Sequence, residues 1–424
     1  MTRPPTKRHT TAPPRVEPKW SPDARIVLVP MLAGLLSLVA GGSGVVAVSI
    51  AGGGSWWQNL AVLHLTAVSG LLTIALSAMI QLSPVTTGTS YRLPGLQTAG
   101  TLLVWFAGLL LATGFFAAQP QVLMLGGVAA ATGIIAALTC PFLMVVRSRP
   151  FTPLHLGIVL AAVGFTAAAL LGFTLAGNLA GAFEVPAWLP VVHVASALGL
   201  GFLALLYGVS WQLLGMFAGA PYPQAWQGFG LVIGVAAAAV LSFLPLGSDV
   251  LRLVPVTLVS VASAVHISQR VLMAPPVRRR RHVSLAALAW SWQVALAPAA
   301  AMTALAIGHT PPIADLLVLV LVGGVVLAVF SFLQHILPFL IWLSLQRQAL
   351  RGERVPKVNE ILPERGGLAG LLLLEVGVVA VFLSQPVGLV ISGLAMVFLA
   401  LRLILTGVRF RSAISGRGGR PRAV

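Results

Sequence analysis

Two histidines lie near the start of long apolar stretches of the sequence. His64 opens the segment HLTAVSGLLTIALSAMIQLSPVTTG, and His193 opens HVASALGLGFLALLYGVSWQLLGMF. A neutral imidazole in such a place can bind a transition metal, or it can hydrogen-bond to the backbone and serve only the structure. The sequence leaves both roles open for His64 and His193.

One acidic residue interrupts an apolar stretch. Glu375 lies in LLLLEVGVVAVF, where an ionised carboxylate without a partner is costly. We therefore expect Glu375 to be protonated at neutral pH. A carboxyl group in this position can belong to a proton relay, which needs a chain of partners, or it can bridge two helices as a neutral group. The eleventh predicted helix offers no partner of its own.

The composition predicts that these residues lie in a membrane. Of the 424 residues, 58% are hydrophobic and 8% are charged, whereas a soluble domain has about 25% charged residues. Apolar runs of about 20 residues recur along the chain, which is the length that crosses a bilayer. We predict twelve membrane spans, near residues 26–50, 60–83, 95–117, 121–146, 154–177, 187–217, 226–246, 250–273, 284–307, 314–346, 367–384 and 387–407.

The basic residues predict the orientation. The formal net charge is +17, and if the twelve spans alternate in direction, all 26 lysines and arginines except Arg252 fall on one side. This is the positive-inside pattern of a cytoplasmic (inner) membrane protein with both termini cytoplasmic. Residues 1–25 are predicted to be a disordered cytoplasmic tail, 26–407 the membrane domain and 408–424 a basic cytoplasmic tail. The partner is therefore the lipid bilayer and not nucleic acid.

Three of the predicted spans share a short pattern. In each of them a polar residue is followed three residues later by proline or glycine: Gln81 in IQLSPV, Gln212 in WQLLGM and His335 in QHILPF. The pattern recurs at an interval of four spans. The spacing predicts three four-helix units in which the second, sixth and tenth helices are equivalent. Because proline leaves a helix carbonyl without its donor, we interpret these polar residues as structural first. A polar cavity is the alternative.

These segments resemble those of subunit I of the haem–copper oxidases, and more closely those of small oxidase-subunit-I-like membrane proteins. The resemblance rests on HLTAVSG…MIQLSPVTTG in the second span, HVASALGLGFLALLYGVSWQLLGMF in the sixth and FSFLQHILPFLIWLSLQ in the tenth. It implies an all-α fold of twelve transmembrane helices, with a pseudo-three-fold arrangement of four-helix units.

The resemblance also implies where metal ligands belong, and most of them are missing. His64 matches the helix-2 ligand of the low-spin haem, but Leu316, Leu317 and Val318 stand where the helix-10 ligand belongs. His193 matches the helix-6 copper ligand, but the seventh span, WQGFGLVIGVAAAAVLSFLPL, has no histidine pair. His335 lies about 25 Å too deep to replace the helix-10 ligands.

We therefore predict an oxidase-subunit-I-like membrane protein that is not a complete terminal oxidase. In this interpretation the protein binds a single haem or copper, to which His64 or His193 can each give one ligand shared with another group. If the cofactor is haem, His64 is the expected axial ligand. The protein then works with a respiratory or cytochrome partner in electron transfer. Two alternatives stay open, namely a transporter or channel and a structural or assembly subunit without a ligand. Whether the chain is an enzyme is left undecided, since the oxidase metal sites are incomplete.

The charge distribution gives a direct test of orientation. A reporter that works only in the cytoplasm is expected to be active when it is fused after Val424, because the basic loops resist translocation. Activity of a reporter that works only on the outer face would contradict the predicted topology.

Overall fold

The computed structural model describes residues 22–89, 93–148, 150–221, 224–241, 249–275, 281–309, 316, 318–349 and 353–410. These residues form helices and no strands, which confirms the predicted all-α class. A long helix lies at each of the twelve predicted spans. The helices are α1 (Ala24–Ile50), α2 (Trp56–Thr87), α3 (Pro94–Phe116), α4 (Pro120–Arg147), α5 (Pro153–Leu179), α6 (Leu189–Phe217), α7 (Ala225–Leu241), α8 (Asp249–Leu272), α9 (Arg281–Ala306), α10 (Val318–Gln348), α11 (Glu364–Val381) and α12 (Gln385–Arg409).

Ten of the described helices are long and apolar enough to cross a membrane. The other two are α7, an apolar helix of 17 residues, and α11, which has 18 residues and carries Glu375. Large apolar side chains such as Leu36, Phe106, Val163 and Leu405 are at least half exposed in mid-helix, as expected where helices face lipid. The chain is a multi-pass membrane protein. Most of its predicted N-terminal and C-terminal tails lies outside the described residues.

The packing of the helices repeats every four helices. In each set the first helix packs on the second and the third, and the second packs on the third, as in α1–α2–α3, α5–α6–α7 and α9–α10–α11. The fourth helix packs on the third and on the first helix of the next set. The last helix, α12, packs on α1 and closes the ring. We call the end of the bundle at which α1 begins the inner end and the opposite end the outer end.

The second helix of every set is widened at the same depth. A π-helical stretch lies at Leu65–Leu72 in α2, Ser196–Leu203 in α6 and Val318–Val326 in α10, and each stretch ends nine residues before the Gln or His of the repeated pattern. π-helices are rare, occur mostly as single turns and are frequent at functional sites. The four-helix interval seen in the sequence therefore has a counterpart in the backbone.

Small residues let the helix backbones approach closely, as is common in membrane bundles. A Cβ added to Gly108 of α3 would lie 2.6 Å from Cβ of Ser69 in the π stretch of α2. At the closure of the ring, a Cβ on Gly42 of α1 would lie 2.7 Å from the carbonyl oxygen of Gly393 in α12. Neither position has room for a side chain.

The contact at Gly108 predicts a stability difference between two glycine-to-alanine variants. Gly108→Ala is expected to destabilise the protein by about 1–3 kcal/mol, since the methyl group overpacks the contact with α2. Gly230→Ala in α7 is the matched control, because nothing lies within 4 Å of the added Cβ. Thermal unfolding in detergent should show a lower midpoint for the first variant only. Equal midpoints for the two would contradict the described packing of α2 against α3.

Candidate functional site

His64 is held by its own helix and by an aromatic neighbour. The first part of α2 begins at a capping box between Ser55 and Gln58, and it ends at His64, where the π stretch starts. Nδ1 of His64 lies 2.9 Å from the carbonyl oxygen of Leu60. The ring lies against Phe115 of α3, with 4.6 Å between the two centroids. Since a carbonyl oxygen only accepts, Nδ1 carries the proton and Nε2 keeps a free lone pair.

His193 has the same tautomer, but its partner is on another helix. Its Nδ1 lies 2.9 Å from the carbonyl oxygen of Ala168 in α5. The ring covers Gly172, where an added Cβ would lie 3.0 Å from Cε1 of His193. Like His64, it stands just before the π stretch of its helix. Because Gly172 has no side chain, the imidazole of His193 can pack directly against α5.

His193 and the cluster beside His64 lie along one face of α5. Ala168, Gly172 and Ala176 are spaced by four residues and therefore share that face. His193 contacts the first two, and Ala176 belongs to an apolar cluster at the outer end that also includes Ala61 of α2 and Phe115. Phe115 in turn lies against the ring of His64. The structure thus connects the two histidines through α5 and this apolar cluster.

The donor set of this pair fits a bound metal in part. Both side chains are half-buried, and no described residue hydrogen-bonds to Nε2 of either ring. A backbone carbonyl on Nδ1 with a free Nε2 is the usual arrangement of a metal-ligating histidine. Across the described part of the chain, no group of three or more His, Cys, Asp or Glu residues is placed to hold a metal. This pair therefore offers two ligands.

The inner-end residues of the repeated pattern do not form one polar site. His335 is buried and stacks on Phe217 at the end of α6, with 5.0 Å between the ring centroids. Gln212 is half-buried, and its amide reaches only Met216 of its own helix. Gln81 is buried. After Pro84, the hydroxyl of Thr86 donates to the carbonyl of Leu82 at 2.8 Å. These contacts favour the structural interpretation of the pattern.

Glu375 has a partner that the sequence analysis did not identify. The amide nitrogen Nε2 of Gln293, in the middle of α9, donates to Oε2 of Glu375. Oε1 of Gln293 fills the space above Gly323 in the π stretch of α10. The pair formed by Glu375 and Gln293 therefore lies where α9, α10 and α11 meet. The signal available in the sequence was the single glutamine in the apolar run WSWQVALAP.

The corresponding place in the first set holds a closed hydrogen-bond loop. Nε1 of Trp105 donates to Oγ of Ser37 at 3.0 Å, and the hydroxyls of Ser37 and Ser69 are 2.8 Å apart. Ser69 in turn donates to the carbonyl of Trp105 at 2.9 Å. Ser69 stands twelve residues before Gln81, and Gly323 stands twelve residues before His335. Equivalent points of the two sets thus carry a three-helix polar contact.

A buried arginine is a further residue that sequence reasoning used only as a charge. Arg270 in α8 is 5% exposed, and its guanidinium donates to the carbonyls of Ser210, Trp211 and Pro221 at 3.2–3.3 Å. It lines a narrow crevice between α6, α7 and α8. His266 also lines this crevice. Because the guanidinium is engaged by backbone carbonyls, its role is to tie α8 to α6.

No protein-family model and no curated protein matches the sequence. The structure itself therefore defines the class, which is a multi-pass α-helical membrane protein with π-helical stretches in its second, sixth and tenth helices. Two polar arrangements in the bundle are the candidates for a functional site. One is the histidine pair at the outer end, and the other is the contact of Glu375 with Gln293.

Proposed function

We propose that the chain is an oxidase-subunit-I-like membrane protein built from three four-helix units around a pseudo-three-fold axis. Three observations support this arrangement. The short polar pattern recurs every four helices, the helix packing repeats at the same interval, and the π-helical stretches fall at equivalent positions. A transporter made of two six-helix repeats would show its similarity at a six-helix interval.

We further propose that His64 and His193 together hold one metal centre at the outer end, either a copper ion or a haem iron. The observation that carries this is the shared state of the two imidazoles. Each has Nδ1 hydrogen-bonded to a backbone carbonyl and no hydrogen-bond partner on Nε2 among the described residues, and both lie at the outer end. The ligand pair would then join helices 2 and 6, whereas the resemblance to the oxidases implies separate sites for these two histidines.

The pair suits copper or haem iron, since imidazole is a good ligand for both. When bound, such a centre supplies one-electron transfer. The chain's own contribution is to hold two neutral imidazoles in place through the carbonyls of Leu60 and Ala168.

This function is electron transfer beside a respiratory chain and not oxygen reduction, since only two of the oxidase ligands have counterparts. Under the predicted orientation, the histidine pair faces the outer side of the cytoplasmic membrane. A respiratory or cytochrome partner would therefore exchange electrons on that side. The basic inner side would contact anionic lipid headgroups.

Metal analysis and a visible spectrum test the proposal. Protein produced in cells supplied with copper and haem is expected to carry about one copper or one haem per chain, because the pair offers a single site. His64→Ala and His193→Ala should each reduce the bound metal at least tenfold, since removing one of two ligands leaves a single weak donor. A Soret band that shifts with dithionite would identify haem. Copper found by metal analysis, in protein without a Soret band, would identify a copper centre.

The matched control is His309→Ala, which removes an exposed histidine at the outer end whose Nδ1 lies 3.2 Å from the carbonyl oxygen of Ile307. It should leave the bound metal unchanged. If the purified wild-type protein holds neither copper nor haem, the proposed metal centre is wrong, and His64 and His193 have structural roles.

A further inference from the structure

We infer that Glu375 and Gln293 form a proton-binding site where α9, α10 and α11 meet. In this site one proton on Glu375 satisfies two buried oxygen atoms at once. The inference is independent of the histidine pair, which lies between the first and second sets of helices.

The contact between the two side chains leaves buried oxygen atoms without a hydrogen-bond donor. Nε2 of Gln293 donates to Oε2 of Glu375. Oε1 of Gln293 and Oε1 of Glu375 are both buried, and neither has a hydrogen-bond partner among the described residues. Gln293 is 8% exposed. Buried polar atoms are rarely left without partners, and those that are need a physical explanation such as a bound ion or a proton.

A single proton gives both oxygen atoms a hydrogen-bond partner. A proton on Oε1 of Glu375 turns this acceptor into a donor, and Oε1 of Gln293, on the side chain already bonded to Glu375, is a buried acceptor that lacks one. The two side chains then form a ring of two hydrogen bonds, with N–H donating to the carboxyl group and O–H donating to the amide. The ionised form instead leaves a negative charge and two unsatisfied oxygens in a region without water, which is the more costly state.

Among the residues that the structure describes, no cation is placed to balance an ionised Glu375. Within the described part of the chain, Gln293 is its only hydrogen-bond partner. The charged or titratable residues on the helices around it lie toward the inner ends of those helices: Arg281 and His282 on α9, His335 and Arg347 on α10, Glu364 and Arg365 on α11, and Arg402 and Arg409 on α12. Arg402 is engaged by Gln334 and by the carbonyl of Pro363. We therefore expect a proton to neutralise the carboxylate of Glu375.

The backbone of α10 is shaped to receive this pair. Gly323 lies in the π stretch, and the amide oxygen of Gln293 occupies the place that a side chain at 323 would need. In the first set, Ser69 at the equivalent point closes a loop with Ser37 and Trp105 in which every hydroxyl and indole hydrogen has an acceptor. The third set has the same three-helix contact but lacks one hydrogen, which a proton supplies.

Infrared difference spectroscopy of the protein in lipid at neutral pH tests the site. The wild-type protein is expected to show the carbonyl band of a protonated carboxyl group, and Glu375→Gln should lose it. Gln293→Leu should keep the band but shift it to higher wavenumber, because the carboxyl group loses its hydrogen-bonded partner. Gly323→Ala should shift the band in the same direction, since the added methyl group displaces the amide.

Glu184→Gln is the matched control, because Glu184 is exposed in the segment between α5 and α6. It should leave the band unchanged. Replacing potassium with sodium in the buffer should not alter the band. A wild-type spectrum that shows only ionised carboxylate would overturn the inference. So would a band that sodium abolishes, because the site would then bind a metal cation, or a band that neither Gln293→Leu nor Gly323→Ala shifts.

Discussion

The structure depends on one constraint, which is that polar groups within the bilayer must find their partners inside the bundle. Arg270 meets it by donating to three backbone carbonyls between α8 and the end of α6. Ser37, Ser69 and Trp105 meet it in a closed loop that ties α1, α2 and α3 together. Polar side chains in this protein therefore join helices, and the close approach of the backbones at glycine makes their short contacts possible.

Several side chains meet the constraint only in part, and the proposed functions lie at two such places. His64 and His193 use Nδ1 for a backbone carbonyl and leave Nε2 without a partner among the described residues. Glu375 and Gln293 share one hydrogen bond, and each keeps one buried oxygen atom without a partner among those residues. The first arrangement has lone pairs that can bind a metal, and the second has lone pairs that can share a proton. A redox centre and a proton site in one bundle would suit a protein of electron transfer.

The sequence predicted the helices well because span length and hydropathy are local properties. It also predicted the four-helix interval, since Gln81, Gln212 and His335 recur at equivalent positions. It did not predict that His64 and His193 would face one helix, or that Gln293 would be the partner of Glu375. Such relations depend on how the helices rotate in packing, and the contact of Gln293 with Glu375 joins residues 82 positions apart. The π-helical stretches were not predicted either.

The central claim is that three four-helix units form the bundle, with α2, α6 and α10 in equivalent places. An experimental structure of the protein in lipid, determined by electron cryo-microscopy, tests it most directly. Superposition of residues 26–146 on residues 154–273 should match helix for helix, with the π stretches of α2 and α6 coinciding. A superposition that succeeds only for two six-helix halves related by a two-fold axis would contradict the claim.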